Sequence, residues 1–148
     1  MRLPEIEISI RYKGAKKADL KKISTASDIN EILKEIYDTD TVEWVETMIL
    51  LCLNQNNKII GFYKVSQGGM TGTVCDPKII YTVALNCAGT TSIIISHNHP
   101  SGSLQPSRAD EDITRKIKDG GKMLDIKLLD HIIYTSEGFY SFAENGIL

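Results

Sequence analysis

Hydrophobic residues along this chain follow two spacings, one typical of strands and one typical of helices. Near the N-terminus apolar and polar residues alternate, which predicts a half-buried strand that carries Ile6, Ile8 and Ile10. Five more segments have the apolar character of strands: 48–53, 58–66, 91–95, 126–135 and 139–142. An Asn-rich turn joins the first two of these segments, so they are expected to form a hairpin.

Three segments carry apolar residues at helical spacing and begin with residues that favour helix starts. The first helix is expected to be capped by Ser27 or Asp28, and the second to begin at Pro77. The third follows Ser107, a good N-cap, with Asp110 at its third position. Strands interleaved with helices predict an α/β (α+β) fold, a mixed β-sheet flanked by helices on both faces.

The composition is that of one ordinary globular domain. Of the 148 residues, 42% are hydrophobic and 24% are charged, and the formal net charge is −2. This balance argues against disorder, and it provides no overall positive charge that would attract nucleic acid. The basic stretch 13–22 is interpreted as a solvated loop, with a nucleic-acid or partner-binding patch as the alternative.

Several features together predict a cytoplasmic protein. The chain shows no signal peptide, and no apolar run reaches about 18 residues, so no membrane contact is expected. Cys52, Cys75 and Cys87 are odd in number and lack the spacing of a redox or metal motif. Buried free thiols are therefore expected, as in a reducing compartment.

The residues with the clearest chemistry follow the apolar run 91–95. His97 and His99 are two residues apart, so in an extended chain they point to the same side, with Cα atoms about 6.6 Å apart. Asp110 would point back toward them, because helical side chains lean toward the N-terminus. Two imidazoles and a carboxylate form a zinc-binding set with a fourth position open for water, as in catalytic sites. The alternative is that these are ordinary loop and capping residues.

The spacing of these residues resembles a known signature. His97-x-His99, seven residues, Ser107, two residues and Asp110 match the His-x-His-x7-Ser-x2-Asp motif of the JAMM (JAB/MPN+) metalloprotease family. Three segments resemble its RadC branch more narrowly: His97-Asn98-His99-Pro100-Ser101-Gly102, Pro106-Ser107 and Leu129-Asp130-His131.

The resemblance carries implications for the fold and for DNA binding. It covers residues 43–148 and implies a JAB/MPN, cytidine-deaminase-like fold there, with the strand and helix predicted in 1–42 packed on the same domain. Full-length members of the RadC branch carry an N-terminal helix-hairpin-helix region that binds DNA, and this chain leaves no room for it. A DNA-repair role inherited from the family is weakened accordingly.

The resemblance also implies roles for individual residues. One zinc ion per chain would be bound by His97, His99 and Asp110. Glu46 matches the glutamate that acts as general base on the water at the fourth position, and Glu43 is its near competitor. Ser107 matches the serine that hydrogen-bonds the tetrahedral oxyanion.

The resemblance assigns no definite role to three further residues of these motifs. Asp130 and His131 match a family pattern, and neighbours on a strand face opposite sides, so only one of them is expected to point inward. A buried, structural hydrogen-bonded pair is favoured over support of the metal ligands. Asn98 is expected to face away from the metal and to tie down the loop.

The leading hypothesis is therefore a zinc-dependent hydrolase of the JAMM type that cleaves an amide bond in a peptide or protein-conjugate substrate. One alternative is a DNA-associated repair or recombination protein, or a metal-dependent nuclease, for which the stretch 13–22 is the only support. Another is a non-catalytic scaffold stabilised by metal. A zinc nucleobase deaminase is unsupported, because the His-x-Glu and Pro-Cys-x-x-Cys patterns are absent. A homodimer is possible, and the sequence does not reveal the oligomeric state.

Overall fold

The computed structural model describes residues 3–13, 19–68 and 75–148. Within these ranges the chain forms three α-helices and five β-strands. In chain order they are α1 (Ala26–Ile36), β1 (Thr47–Leu53), β2 (Ile59–Gln67), α2 (Pro77–Asn86), β3 (Ser92–Asn98), α3 (Arg108–Met123), β4 (Lys127–Tyr134) and β5 (Phe139–Ser141).

The strands form one mixed sheet with the order β2-β1-β3-β4-β5. β1 pairs antiparallel with both β2 and β3, β3 runs parallel to β4, and β5 returns antiparallel on β4. β3 therefore lies at the centre of the sheet, and its C-terminal end is where the predicted metal ligands begin. The predicted hairpin is the β1–β2 pair, and the mixed sheet is confirmed.

Alternate residues of β1 pack into two hydrophobic cores, one on each face of the sheet. Ile49, Leu51 and Leu53 pack on the face covered by α1. Leu50 and Cys52 pack on the opposite face, with buried residues of α2 and α3. Because successive side chains of a strand point to opposite faces, a strand that is apolar throughout needs cover on both sides. The predicted placement of helices on both faces is thus confirmed.

The start of α1 differs from the prediction. Neither Ser27 nor Asp28 is the cap: Thr25 is, and its Oγ1 accepts the Asp28 N–H at 3.1 Å. Asp28 is the third residue of the helix, and its carboxylate accepts the Thr25 N–H at 2.8 Å. This reciprocal capping box explains why an acidic residue stands two positions inside the helix. α2 begins at Pro77, as predicted.

The strand predicted around Ile6, Ile8 and Ile10 is not formed. Residues 3–13 have no regular secondary structure, and Ile6 and Ile8 are 84% and 68% exposed. An alternating pattern makes a strand only where another strand offers hydrogen bonds and an apolar face. Backbone pairing beside the sheet edge comes later in the chain, in an isolated antiparallel bridge between Lys22 and Lys58.

The three cysteines are free thiols, as predicted. Cys52 and Cys87 are buried, whereas Cys75 is only half-buried. Burial raises the pKa of the Cys52 thiol to about 12 and that of Cys75 to about 11. In the described part of the chain, no helix combines the length and the apolar character needed to cross a membrane.

Candidate metal centre

The end of β3 and the first turn of α3 bring the three predicted ligands together. The Nε2 atoms of His97 and His99 lie 2.9 Å apart. Asp110 Oδ1 lies 3.2 Å from His97 Nε2, and its Oδ2 lies 3.4 Å from His99 Nε2. One ligand atom from each residue lies within 4.8 Å of the other two, so the three side chains could hold one metal ion.

The surroundings keep the Asp110 carboxyl ionised. Burial alone would raise its pKa, but the His97 and His99 rings, which donate to the carboxylate when they are protonated at Nε2, outweigh burial and hold the pKa of Asp110 well below its usual range. The hydrogen bond with Asp110 also raises the pKa of His99. An ionised carboxylate beside two imidazoles is a suitable ligand set for a divalent cation.

The predicted cap at the start of α3 is confirmed. Ser107 Oγ accepts the Asp110 N–H at 3.1 Å, and Asp110 Oδ2 accepts the Ser107 N–H at 2.8 Å. Capping therefore aims the Asp110 carboxylate at the histidines. Because the Ser107 oxygen is an acceptor in the cap, its hydroxyl proton can still be donated to another atom.

The tautomer of His99 can be read from its contacts. Its Nδ1 lies 2.7 Å from the Ser103 carbonyl oxygen. A carbonyl oxygen only accepts, so Nδ1 carries a proton, and in the neutral ring Nε2 presents its lone pair to the cluster. An imidazole nitrogen with a free lone pair is the form that binds metal, so His99 fits zinc.

His131 contacts a predicted ligand, which corrects the interpretation of Asp130 and His131 as a structural pair. Both are buried, because each face of the sheet is covered, but their side chains point to opposite faces. Asp130 binds Ser141 and two backbone N–H groups, one of them that of His131 itself. The His131 ring instead lies between His97 and Thr114, at 2.8 and 2.6 Å. Burial, together with the nearby His97, lowers the pKa of His131 well below the usual histidine value.

Thr114 is a residue beside the cluster that the sequence analysis missed. It lies four residues after Asp110, one turn along α3, and its Oγ1 donates to the Asp110 carbonyl oxygen at 2.6 Å. The available signal was this spacing, which places Thr114 and Asp110 on one helix face. Nothing in the spacing indicated a contact with His131.

Asn98, between the two histidines, ties down the segment before β1 rather than the ligand loop that was expected. Its side chain is fully buried. Nδ2 donates to the Val42 and Val45 carbonyl oxygens at 2.7 and 2.8 Å, and Oδ1 accepts the Thr47 N–H at 2.7 Å. The Val45 carbonyl and the Thr47 N–H belong to the peptide bonds on either side of Glu46. Asn98 therefore links the strand of the ligands to the backbone that carries Glu46.

Glu46 lies directly before β1, which neighbours β3 in the sheet. Met48 pairs with His97, and continuing this antiparallel register by two residues brings Glu46 toward His99 on the same face. Glu46 is half-buried. The pKa of His99 is raised chiefly by its hydrogen bond with Asp110, and the negative charge of Glu46 makes a smaller contribution in the same direction. The Glu46 carboxylate is thus near the cluster of His97, His99 and Asp110 but is not one of the three candidate ligands.

The competing residue, Glu43, is engaged elsewhere. It is exposed, and its Oε1 accepts the Ser136 hydroxyl at 2.8 Å. Glu46 therefore has the better geometry for chemistry at the cluster.

The basic stretch 13–22 is described only in part. Lys16 and Lys17 lie outside the described residues. Lys13 and Lys22 are exposed, and Lys21 forms an ion pair with Glu35 across to α1.

Comparisons with known proteins agree with this architecture. A family model described as the RadC-like JAB domain matches residues 23–147, a range that includes α1. A "UPF0758 protein" of Flavobacterium johnsoniae is 40% identical over 144 residues, and one of Clostridium perfringens is 37% identical over 142. Both alignments cover 96% of this chain and 60% of the relative. The chain therefore spans about 60% of the length of these curated relatives. The mixed sheet with three helices is consistent with a JAB/MPN fold.

Proposed function

Because this chain belongs to the RadC-like JAB domain family, we propose that it is a zinc-dependent hydrolase that cleaves a peptide or isopeptide amide bond. The observation that carries the proposal is the convergence of His97, His99 and Asp110, whose ligand atoms lie within 4.8 Å of one another. Two imidazoles and one carboxylate are the ligand set of many catalytic zinc sites, in which a fourth position stays open.

The neighbouring residues supply the rest of the mechanism. A zinc ion held by the cluster would lower the pKa of water to about 7 and polarise a substrate carbonyl. Glu46 takes a proton from the attacking water and delivers it to the leaving amide nitrogen. Ser107 donates its hydroxyl proton in a hydrogen bond to the substrate oxygen as negative charge develops there. The capping role of Ser107 does not compete, since the cap uses only its lone pair.

The proposed substrate is a peptide or a protein conjugate, and the proposed location of the reaction is the cytoplasm. Three free thiols suit a reducing compartment, where disulfides are rare.

The first test is the zinc content of the protein purified without added metal, determined by elemental analysis. The expected result is about one zinc per chain in the wild type and in Glu46→Gln, with loss of zinc in His99→Ala. This pattern separates a ligand from a base. No zinc in any form, and no uptake when zinc is supplied, would overturn the proposal.

The second test is hydrolysis of fluorophore-labelled casein and of a model peptide with an isopeptide bond to lysine. Glu46→Gln is expected to lose at least about 100-fold in rate, the size of a general-base contribution. Glu43→Gln is the matched control, and it should keep wild-type activity because its carboxylate binds Ser136. Zinc binding accompanied by metal-dependent DNA cleavage and no amide hydrolysis would favour the nuclease alternative and reject the peptidase.

A further inference from the structure

Behind His97, a line of buried hydrogen bonds leads away from the candidate metal position. His97 Nδ1 lies 2.8 Å from His131 Nε2, and His131 Nδ1 lies 2.6 Å from Thr114 Oγ1. Thr114 Oγ1 in turn lies 2.6 Å from the Asp110 carbonyl oxygen. The three side chains are 1%, 0% and 3% exposed. The line starts on one ligand and ends on the backbone of another.

The direction of these hydrogen bonds follows from the last acceptor. The Asp110 carbonyl can only accept, so Thr114 donates its single hydroxyl proton there. The Thr114 oxygen then accepts from His131, which places the His131 proton on Nδ1 and leaves Nε2 as an acceptor. His97 must therefore donate from Nδ1, and the lone pair of its neutral ring lies on Nε2, which faces the other two ligands.

The His131 ring is held in the orientation that this line needs. It stacks on Phe142 with ring centroids 4.5 Å apart and an angle of 13° between the planes. Phe142 is itself fully buried. A rotation of the imidazole would break the stacking and both hydrogen bonds in a close-packed interior.

The two histidine ligands differ in how their tautomers are set. His99 donates to the Ser103 carbonyl, a group that can never donate. His97 instead faces another histidine, which can donate or accept, so something beyond His131 has to decide between the two arrangements. The Thr114 hydroxyl, anchored on Asp110, is the group in that position.

We propose that His131 and Thr114 are positioning residues that keep the proton of His97 on Nδ1, so that its Nε2 lone pair is directed at the metal. This inference rests on the proposed metal site. It assigns Thr114 a role at a distance from the metal, through His131. Outer groups of this kind set the orientation and basicity of metal-binding histidines.

The first test measures zinc affinity by competition with a chromogenic chelator in the wild type, Thr114→Val and Thr114→Ser. Thr114→Val keeps the side-chain shape but removes the hydroxyl, and it is expected to weaken zinc binding about 10- to 100-fold. Thr114→Ser restores the hydroxyl and should recover most of the affinity. Thr82→Val, the same change at an exposed position of α2, is the control and should leave affinity unchanged. Wild-type affinity in a folded Thr114→Val would overturn the inference.

The second test needs neither a variant nor metal. Long-range ¹H–¹⁵N spectra of the metal-free wild type, recorded at about pH 8, above the usual histidine pKa of about 6.5, report which ring nitrogen carries the proton. The expected result is a proton on Nδ1 of His97 and on Nδ1 of His131. A proton on Nε2 of His97 and none on Nδ1 would overturn the inference.

These results keep the two proposals apart. If the wild type binds no zinc, the proposed function fails, and the tautomer spectra still decide on His131 and Thr114. If zinc binds and His99→Ala loses it, but Thr114→Val binds zinc like the wild type, only the positioning role fails.

Discussion

Replacing Asn98 tests how the candidate site is connected to the rest of the sheet. Its side chain makes three hydrogen bonds, to the carbonyls of Val42 and Val45 and to the Thr47 N–H. These bonds hold the peptide groups on both sides of Glu46. Asn98→Ala would release that segment while leaving the metal ligands themselves unchanged.

The expected magnitude follows from these contacts. Each hydrogen bond contributes about 0.5–1.5 kcal/mol net, and buried partners left without a bond add to the loss. We therefore expect Asn98→Ala to lower the free energy of unfolding by about 2–5 kcal/mol, measured by urea denaturation. Asn98→Asp should cost at least as much at neutral pH, because it sets a carboxylate oxygen against the Val42 and Val45 carbonyls.

Asn86→Ala is the matched control. Asn86 Nδ2 makes one hydrogen bond, to the Thr82 carbonyl on the surface of α2, so its loss should cost less than about 1 kcal/mol. Folded Asn98→Ala should still bind zinc, whereas its amide hydrolysis should fall because Glu46 is no longer held. An Asn98→Ala protein as stable as Asn86→Ala would refute this reasoning.

The remaining predictions concern packing and thiol chemistry. In Gly121→Ala, the new Cβ would lie 2.1 Å from the Ile126 carbonyl oxygen. We expect a loss of about 1–3 kcal/mol in urea unfolding, although helix propensity alone would favour alanine by about 1 kcal/mol, and a stabilised variant would contradict the packing argument. In the native protein a thiol reagent should modify half-buried Cys75 before Cys52, with all the thiols reacting after denaturation. Mass spectrometry of partially labelled protein measures this order, and faster labelling of Cys52 would disprove it.

The convergence of the candidate metal ligands could be predicted because its geometry is local. His97 and His99 share a side of an extended chain, and the cap at Ser107 orients Asp110 within one helical turn. The same holds for most helices and strands, whose apolar spacing is a property of neighbouring residues. The first helix shows the precision of such signals: its position was clear, but the capping residue was Thr25 rather than Ser27 or Asp28.

The sequence by itself thus determined the apolar periodicities, the approximate positions of the helices and the compact spacing of the candidate metal ligands. Tertiary structure decided what depends on distant segments: the pairing of β1 with β3 that brings Glu46 toward His99, and the line from His97 through His131 to Thr114. It also decided against the strand at residues 3–13, whose alternating pattern found no partner. The physical reason is that strand pairing and buried hydrogen bonds need two partners. The periodicity of one segment specifies which face is apolar, but not which neighbour covers it.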